Sequence, residues 1–207
     1  MAYWDKRIEL FGKTKAFMRL TLDGALADDS VALSLGYLRP TGCSDLAGRP
    51  ILFMDFSADS KADCTAFSFI RTVWYAIHVA LEDEKAQKEG IVILVKTCDS
   101  LRQSNLKIRK EMAENLKGTL PFRLGCFQIC HPPAFINVVL KIAHLLLPNK
   151  LRSRVRTHKG THQEVIDSLA TYGIPKAALP DIWGGELKLE GHSEWLTARR
   201  SAEKSCD

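Results

Sequence analysis

The chain has 207 residues, of which 46% are apolar, 8% aromatic and 26% charged, a globular balance that excludes disordered and collagen-like classes. Its length suits one domain with a sizeable core and some appended helix rather than a repeat array or a multi-domain enzyme. The formal charge of +5 is too small to indicate nucleic acid and is compatible with an anionic membrane surface.

Two helical patterns open the chain. One lies near residues 3–11; the other starts at Asp28-Asp29-Ser30 and runs to residue 38, where acidic residues and a capping serine suit a helix N-terminus. Turn-rich stretches at 39–44 and 47–50 follow. Residues 1–47 are therefore expected to be a helical lead-in, 48–190 the main domain and 191–207 a tail helix. From Arg49 onward, strand-length apolar runs alternate with helical patterns: strand 51–56, helix 62–85, strand 91–97, helix 105–116, strand 124–130, helix 135–147, strand 153–158 and helix 161–171. That alternation, with a β-branched run at 90–95, predicts an α/β fold built on a largely parallel sheet covered by helices.

Three local features stand out. Phe67, Ile70, Trp74, Ile77 and Leu81 recur at three-four spacing, as a core-facing helix stripe does. The helix over 135–147 is interrupted only by Asn137, Lys141 and His144; an element apolar nearly all round is either fully buried or faces something greasy, such as a lipid cavity or a membrane. No Asp or Glu occurs between Glu114 and Glu164, an interval holding Lys117, Arg123, Lys141, Lys150, Arg152, Arg154, Arg156 and Lys159. On a strand, Arg154, Arg156 and His158 would form one cationic row. Such a row beside a greasy helix suits an anionic bilayer at about 1 kcal/mol per cation, or is an ordinary solvated edge.

The cysteines at 43, 64, 98, 126, 130 and 206 form no Cys-x-x-Cys pair, so free thiols in a reducing compartment are expected. The charged N-terminus lacks the apolar core of a signal peptide, and the longest uncharged run, 124–140, is broken by His131-Pro132-Pro133 and is too short to span a bilayer. A cytoplasmic protein, peripheral on membranes, is the expectation. Nucleophile-elbow, Walker, dinucleotide-binding and His-Glu-x-x-His motifs are absent from the sequence. His158 and His162 have no carboxylate or thiol nearby in sequence to complete a metal set, and Cys126 and Cys130 read as core thiols. No catalytic residue, metal or cofactor is expected, and no nucleic-acid partner.

Several segments, in this order, resemble the CRAL-TRIO lipid-binding domain family. Gly48-Arg49-Pro50-Ile51-Leu52-Phe53 resembles its entry strand and Gly90-Ile91-Val92-Ile93-Leu94 its second. LPFRLGCFQICHPPAFINVVLKIAHLLLP, residues 120–148, is similar to the family's helix end, strand, turn and gate helix. Residues 151–158 resemble the basic strand after the gate, and Leu179-Pro180-Asp181-Ile182-Trp183-Gly184-Gly185-Glu186-Leu187 the closing signature.

The resemblance implies a sheet flooring an apolar pocket, closed over one lipid by a mobile gate helix that opens at a membrane. It places Phe135, Val139, Ile142, Ala143 and Leu146 of the gate, with Met112 and Leu116 of the preceding helix, around the ligand. Lys150, Arg152, Arg154 and Arg156 become the membrane or phosphate contacts. Burying an acyl chain at about 0.8 kcal/mol per CH₂ offsets leaving the bilayer. The triplet Pro121-Phe122-Arg123 lacks the glutamate of phosphatidylinositol binders, which points to a different lipid; the family's partner lysine falls at Arg154. The implied activity is that of a monomer that binds and exchanges one lipid at cytosolic membrane surfaces. The alternative is a module of the same family that recruits partners or membranes without transfer.

Overall fold

The computed structural model describes residues 2–57, 65–98, 123–146 and 149–205, with the backbone alone at 2, 142–146 and 150. Five strands form one sheet in sequential order: β1 (Leu38–Ser44), β2 (Pro50–Asp55), β3 (Ile91–Lys96), β4 (Leu124–Cys130) and β5 (Val155–His158). β1 runs antiparallel to β2, and every later pair is parallel. The described helices are α1 (Ala2–Lys15), α2 (Ser30–Ser34), α3 (Ala66–Ala80), α4 (Glu84–Glu89), α5 (Ile136–Leu146), α6 (Asn149–Arg152), α7 (His162–Ala170) and α8 (His192–Lys204). The α/β class and largely parallel sheet expected from the alternation are those of the structure.

The sheet stands between two helical layers, and strand periodicity decides which side chain enters which. Leu52, Met54, Ile93, Val95 and Ile129 join the cluster of α1, α2, α3, α5 and α8. Ile51, Phe53, Val92, Leu94, Cys126 and Cys130 join that of α7 and the segment ending at Trp183. β3 is apolar at both sets of positions because it is covered on both faces. Right-handed crossovers stepping always in one direction place their helices on one face, so α3 and α5 share a side.

β1 is a correction to the turn-rich reading of 39–50. Pro40 and Gly42 look like punctuation, yet an edge strand tolerates a residue without an N–H, and the pairing with β2 is irregular only between Pro40 and Ser44. The compact sheet thus begins at Leu38. A second correction concerns the helix over 62–85. α3 starts where the Thr65 side chain accepts from the Ser68 N–H, and the chain restarts at Asp83, whose carboxylate caps α4 through the Ala86 N–H. Ile70, Trp74 and Ile77 of the stripe are buried, whereas Phe67 is exposed.

In β4 the register slips by one residue, Ile91 pairing Leu124 and Val92 pairing Cys126. Gly125 occupies the bulge; a Cβ there would come within 3.0 Å of the Ile91 carbonyl oxygen and 3.1 Å of the Arg49 guanidinium. At the other end of the domain, a Cβ on Gly185 would collide with the Leu179 backbone. That close approach lets the Leu187 N–H reach the Leu179 carbonyl at 2.9 Å.

α8 is held by a buried carboxylate. Glu203 accepts from the Leu22 N–H at 2.8 Å, the Tyr75 hydroxyl at 2.6 Å and Arg199 Nε at 3.0 Å. Arg199 also grips Glu82 with both terminal nitrogens, at 2.7 and 2.5 Å. The cavity left between α8 and the domain, lined by Tyr37, Tyr75, His192 and Trp195 among others, measures about 10 Å³, a single water at most.

Burial disfavours the charged form of several histidines. Burial lowers the pKa of His78, His158 and His192. The unfolded chain therefore binds protons more readily as pH drops below the ordinary histidine value of about 6.5. Stability is expected to be complete above that value and to fall below it, until the folded-state pKa values are passed. Thermal melts at pH 7.5, 6.5 and 5.5 check this; a melting temperature constant across that range would contradict it.

Candidate functional site

The site builds from the end of β4. Pro132 and Pro133 lack N–H groups, so they cannot continue the ladder; the Pro133 carbonyl instead accepts from the Ile136 N–H at 3.0 Å and begins the turn into α5. In the first turns of α5, Ile136 is buried and Val139 and Leu140 are half-buried against the α1/α3-side cluster, a three-four inward face. Asn137, Val138 and Lys141 are exposed. Val138, at 54% exposure, is an apolar residue on that outer side, between Asn137 and Lys141.

Beneath α5 the sheet offers a matching surface. Phe127 and Val155 are register partners across β4 and β5, and with Leu151 they are half-buried on the same side as Val139 and Leu140. Five partly covered apolar side chains, from α5, α6, β4 and β5, thus pack against one cluster on the same side of the sheet. Phe127, Val155 and Leu151 were missed as lining residues by the sequence reading. The signal was there: Cys126, Gln128 and Cys130 occupy the opposite strand face, which leaves Phe127 and Ile129 toward α5.

Of the pocket residues named from the sequence, Phe135 is half-buried at the root of α5 and Val139 faces inward. Ile142, Ala143 and Leu146 lie on the α5 backbone, and their side chains are outside the described set. Met112 and Leu116 lie outside the described residues.

The cationic row is only partly as expected. Lys150 is on α6 with its backbone described, and Arg152 is exposed. Arg154 is half-buried and donates to the Leu124 carbonyl. Arg156 is exposed, its Nη1 donating to the Val155 carbonyl at 3.0 Å. His158 does not belong to the row. It is buried, with Nε2 2.7 Å from Gln128 Oε1 and Nδ1 2.8 Å from the Ser168 hydroxyl. Its alternation partner Arg156 shares that α7 side, so Arg156 and the α5 helix lie on opposite faces of the sheet.

Cys126 and Cys130 are poorly placed to act as nucleophiles. Cys126 and Cys130 are buried, and burial pushes both thiols up, Cys130 far above its ordinary value, so the thiolate needed for attack is disfavoured. A polar cluster the sequence reading overlooked sits at the C-terminal edge of β2 and β3, where Lys96 Nζ lies 3.3 Å from Asp55 Oδ2 and 3.2 Å from the Ser57 hydroxyl. That edge is where parallel sheets present ligands. Among the described residues no helix is long and apolar enough to cross a membrane.

Comparison with known proteins agrees with this architecture. Tyrosine-protein phosphatase non-receptor type 9 from Rattus norvegicus and from Homo sapiens is 28% identical over 122 residues, 58% of this chain and 19% of the phosphatase. Clavesin-2 from Homo sapiens is 23% identical over 162 residues, 75% of this chain and 48% of that protein. The chain thus spans less than half the length of these curated relatives. The family model of the CRAL/TRIO domain matches residues 37–185, from the residue before β1 to the Trp183-Gly184-Gly185 turn, and the chain belongs to the CRAL/TRIO domain family.

Proposed function

We propose that the protein binds a single lipid between α5 and the β4–β5 floor and exchanges it at cytosolic membrane surfaces, without catalysing a reaction. The observation that carries this reading is the set of half-buried apolar side chains Phe127, Val139, Leu140, Leu151 and Val155 on the α5 side of the sheet, with the apolar Val138 left exposed on the helix above. A helix over a finished core would bury its inner face completely. Apolar walls left partly covered are what an acyl chain would complete, at about 25 cal/mol per Å². Membership of the CRAL/TRIO domain family supports the same reading. Phe135, Ile142, Ala143 and Leu146, with Met112 and Leu116, are the further lining residues of the proposal. Lys150 and Arg152 of α6 are its contacts to anionic headgroups; Arg154 is a lesser one because its guanidinium already serves Leu124, and so is Arg156, which lies on the sheet face opposite α5.

Native mass spectrometry of the purified protein, before and after organic extraction, tests this directly. One lipid per chain is expected. A protein that is folded yet empty, and stays empty after incubation with mixed-lipid vesicles, would exclude the carrier reading. One observation favours a second reading: the matched region makes up 19% of a phosphatase, so related domains also serve as parts of larger proteins. In that case the domain would hold or sense a lipid, or recruit a partner, without releasing the ligand to acceptor vesicles.

A further inference from the structure

His131, the residue after β4, and His162, the first residue of α7, face each other across the end of the sheet. His131 Nε2 lies 3.1 Å from His162 Nδ1. The ring centroids are 4.7 Å apart with the planes at 74°. In a head-on N–H···N hydrogen bond of that length the centroids would stand about 5.4 Å apart. The shorter spacing means that the two ring axes do not point straight at one another but are bent to one side. An ion about 2.0–2.1 Å from both nitrogens would subtend roughly 98° between them, within the range of square-planar, octahedral and tetrahedral sites.

The backbone at His131 adds a second, independent observation. Its φ of +47° is the one positive value for a non-glycine residue among those described. Histidine tolerates that region better than most, but a following proline drives its predecessor toward extended conformations, and Pro132 follows here. A strained backbone at a chemically capable residue points to function. The strain aims the imidazole at α7 while the His131 N–H stays bonded to the His158 carbonyl at 3.0 Å. A hydrogen bond with the backbone at Gly160 also engages the ring.

We propose that His131 and His162 form a two-imidazole site for a borderline divalent transition-metal ion of the Zn²⁺, Ni²⁺ or Cu²⁺ kind. His162 is exposed and His131 half-exposed, so solvent reaches the pair, and the remaining coordination positions go to water or to an anionic oxygen. Among the described residues no set of three metal-ligating side chains exists, so the affinity is that of a labile site rather than of a structural one. Its position gives it consequence. His131 is separated from α5 only by Pro132, Pro133, Ala134 and Phe135, so an ion shared with His162 would tie the root of α5 to α7.

The test uses untagged, chelator-treated protein. Calorimetry with Ni²⁺ or Zn²⁺ is expected to give one ion per chain, and the spectrum of bound Cu²⁺ to carry the hyperfine pattern of two imidazole nitrogens. His131→Asn and His162→Gln should each weaken binding at least about tenfold, since losing a ligand costs no less than losing its hydrogen-bonded support. Wild-type protein that binds no stoichiometric ion, a copper spectrum with one nitrogen or four, or an affinity unchanged in either folded variant would overturn the assignment. Should His131→Asn disturb the fold by circular dichroism, the exposed His162 variant decides alone. The site is independent of the lipid reading, and its failure would leave that reading intact.

Discussion

Replacing Glu203 by alanine is expected to lower the unfolding free energy by about 3–5 kcal/mol, a large share of the stability of a domain this size. The carboxylate is buried and serves three donors from three parts of the chain: Leu22 ahead of α2, Tyr75 in α3 and Arg199 in α8 itself. Truncation leaves the Leu22 N–H and Tyr75 O–H buried without an acceptor, at about 1–3 kcal/mol each. Arg199 also loses its inner partner. Glu203→Gln keeps one acceptor oxygen and should cost less, about 1–2 kcal/mol, as should Tyr75→Phe. Urea denaturation of the three variants measures the order. A Glu203→Ala loss under about 1 kcal/mol would mean that α8 melts separately from the domain.

The outer half of the same clamp sets an acid limit. Hydrogen bonds from Arg199, and secondarily from Arg19, hold the Glu82 carboxyl below its ordinary value. Its contribution is present above the unfolded carboxylate pKa and is lost as pH falls through the lower folded one. Being half exposed, it is a screened interaction and a modest one.

What the sequence made legible follows the strength of its periodic signals. β3 and β4 were placed to within a residue because apolar runs of strand length between turn residues have few other solutions. The helix expected over 135–147 from its nearly unbroken apolar run is α5, Ile136–Leu146. β1 was not recognised, because Pro40 and Gly42 obey turn statistics while the sheet edge relaxes them. His158 was misread for a different reason. Alternation correctly grouped it with Arg156, but whether a strand face meets solvent or α7 is decided by the helix that follows, and Ser168 and Gln128 cannot be matched to it from spacing alone. The His131–His162 pairing was hidden in the same way, since its members come from the segments that follow two different strands, β4 and β5. The Glu203 clamp joins positions 22, 75 and 203, a separation at which local pattern carries no information.

Val139→Asp and Val138→Asp, adjacent on α5, are expected to separate ligand retention from membrane exchange. Val139 is half-buried against the α1/α3-side cluster, on which Phe127 and Val155 also pack, whereas Val138 is 54% exposed on the outer side. An ionised carboxylate forced into the inner wall costs several kcal/mol, equivalent to the burial of several methylenes at about 0.8 kcal/mol each. Lipid occupancy by native mass spectrometry should therefore fall at least about tenfold in Val139→Asp. Val138→Asp places the same charge in water and should leave occupancy near the wild-type level. Its effect should appear in transfer between vesicles, because in the proposed exchange the exposed Val138 faces the bilayer and a carboxylate there would be repelled by anionic headgroups. Repulsion at a surface is screened over about 8 Å at physiological salt, so raising the salt should recover part of the Val138→Asp transfer rate and none of the Val139→Asp occupancy. Equal occupancy in the two variants would remove Val139 from the pocket wall, and equal transfer by Val138→Asp and wild type would take the outer face of α5 out of membrane contact.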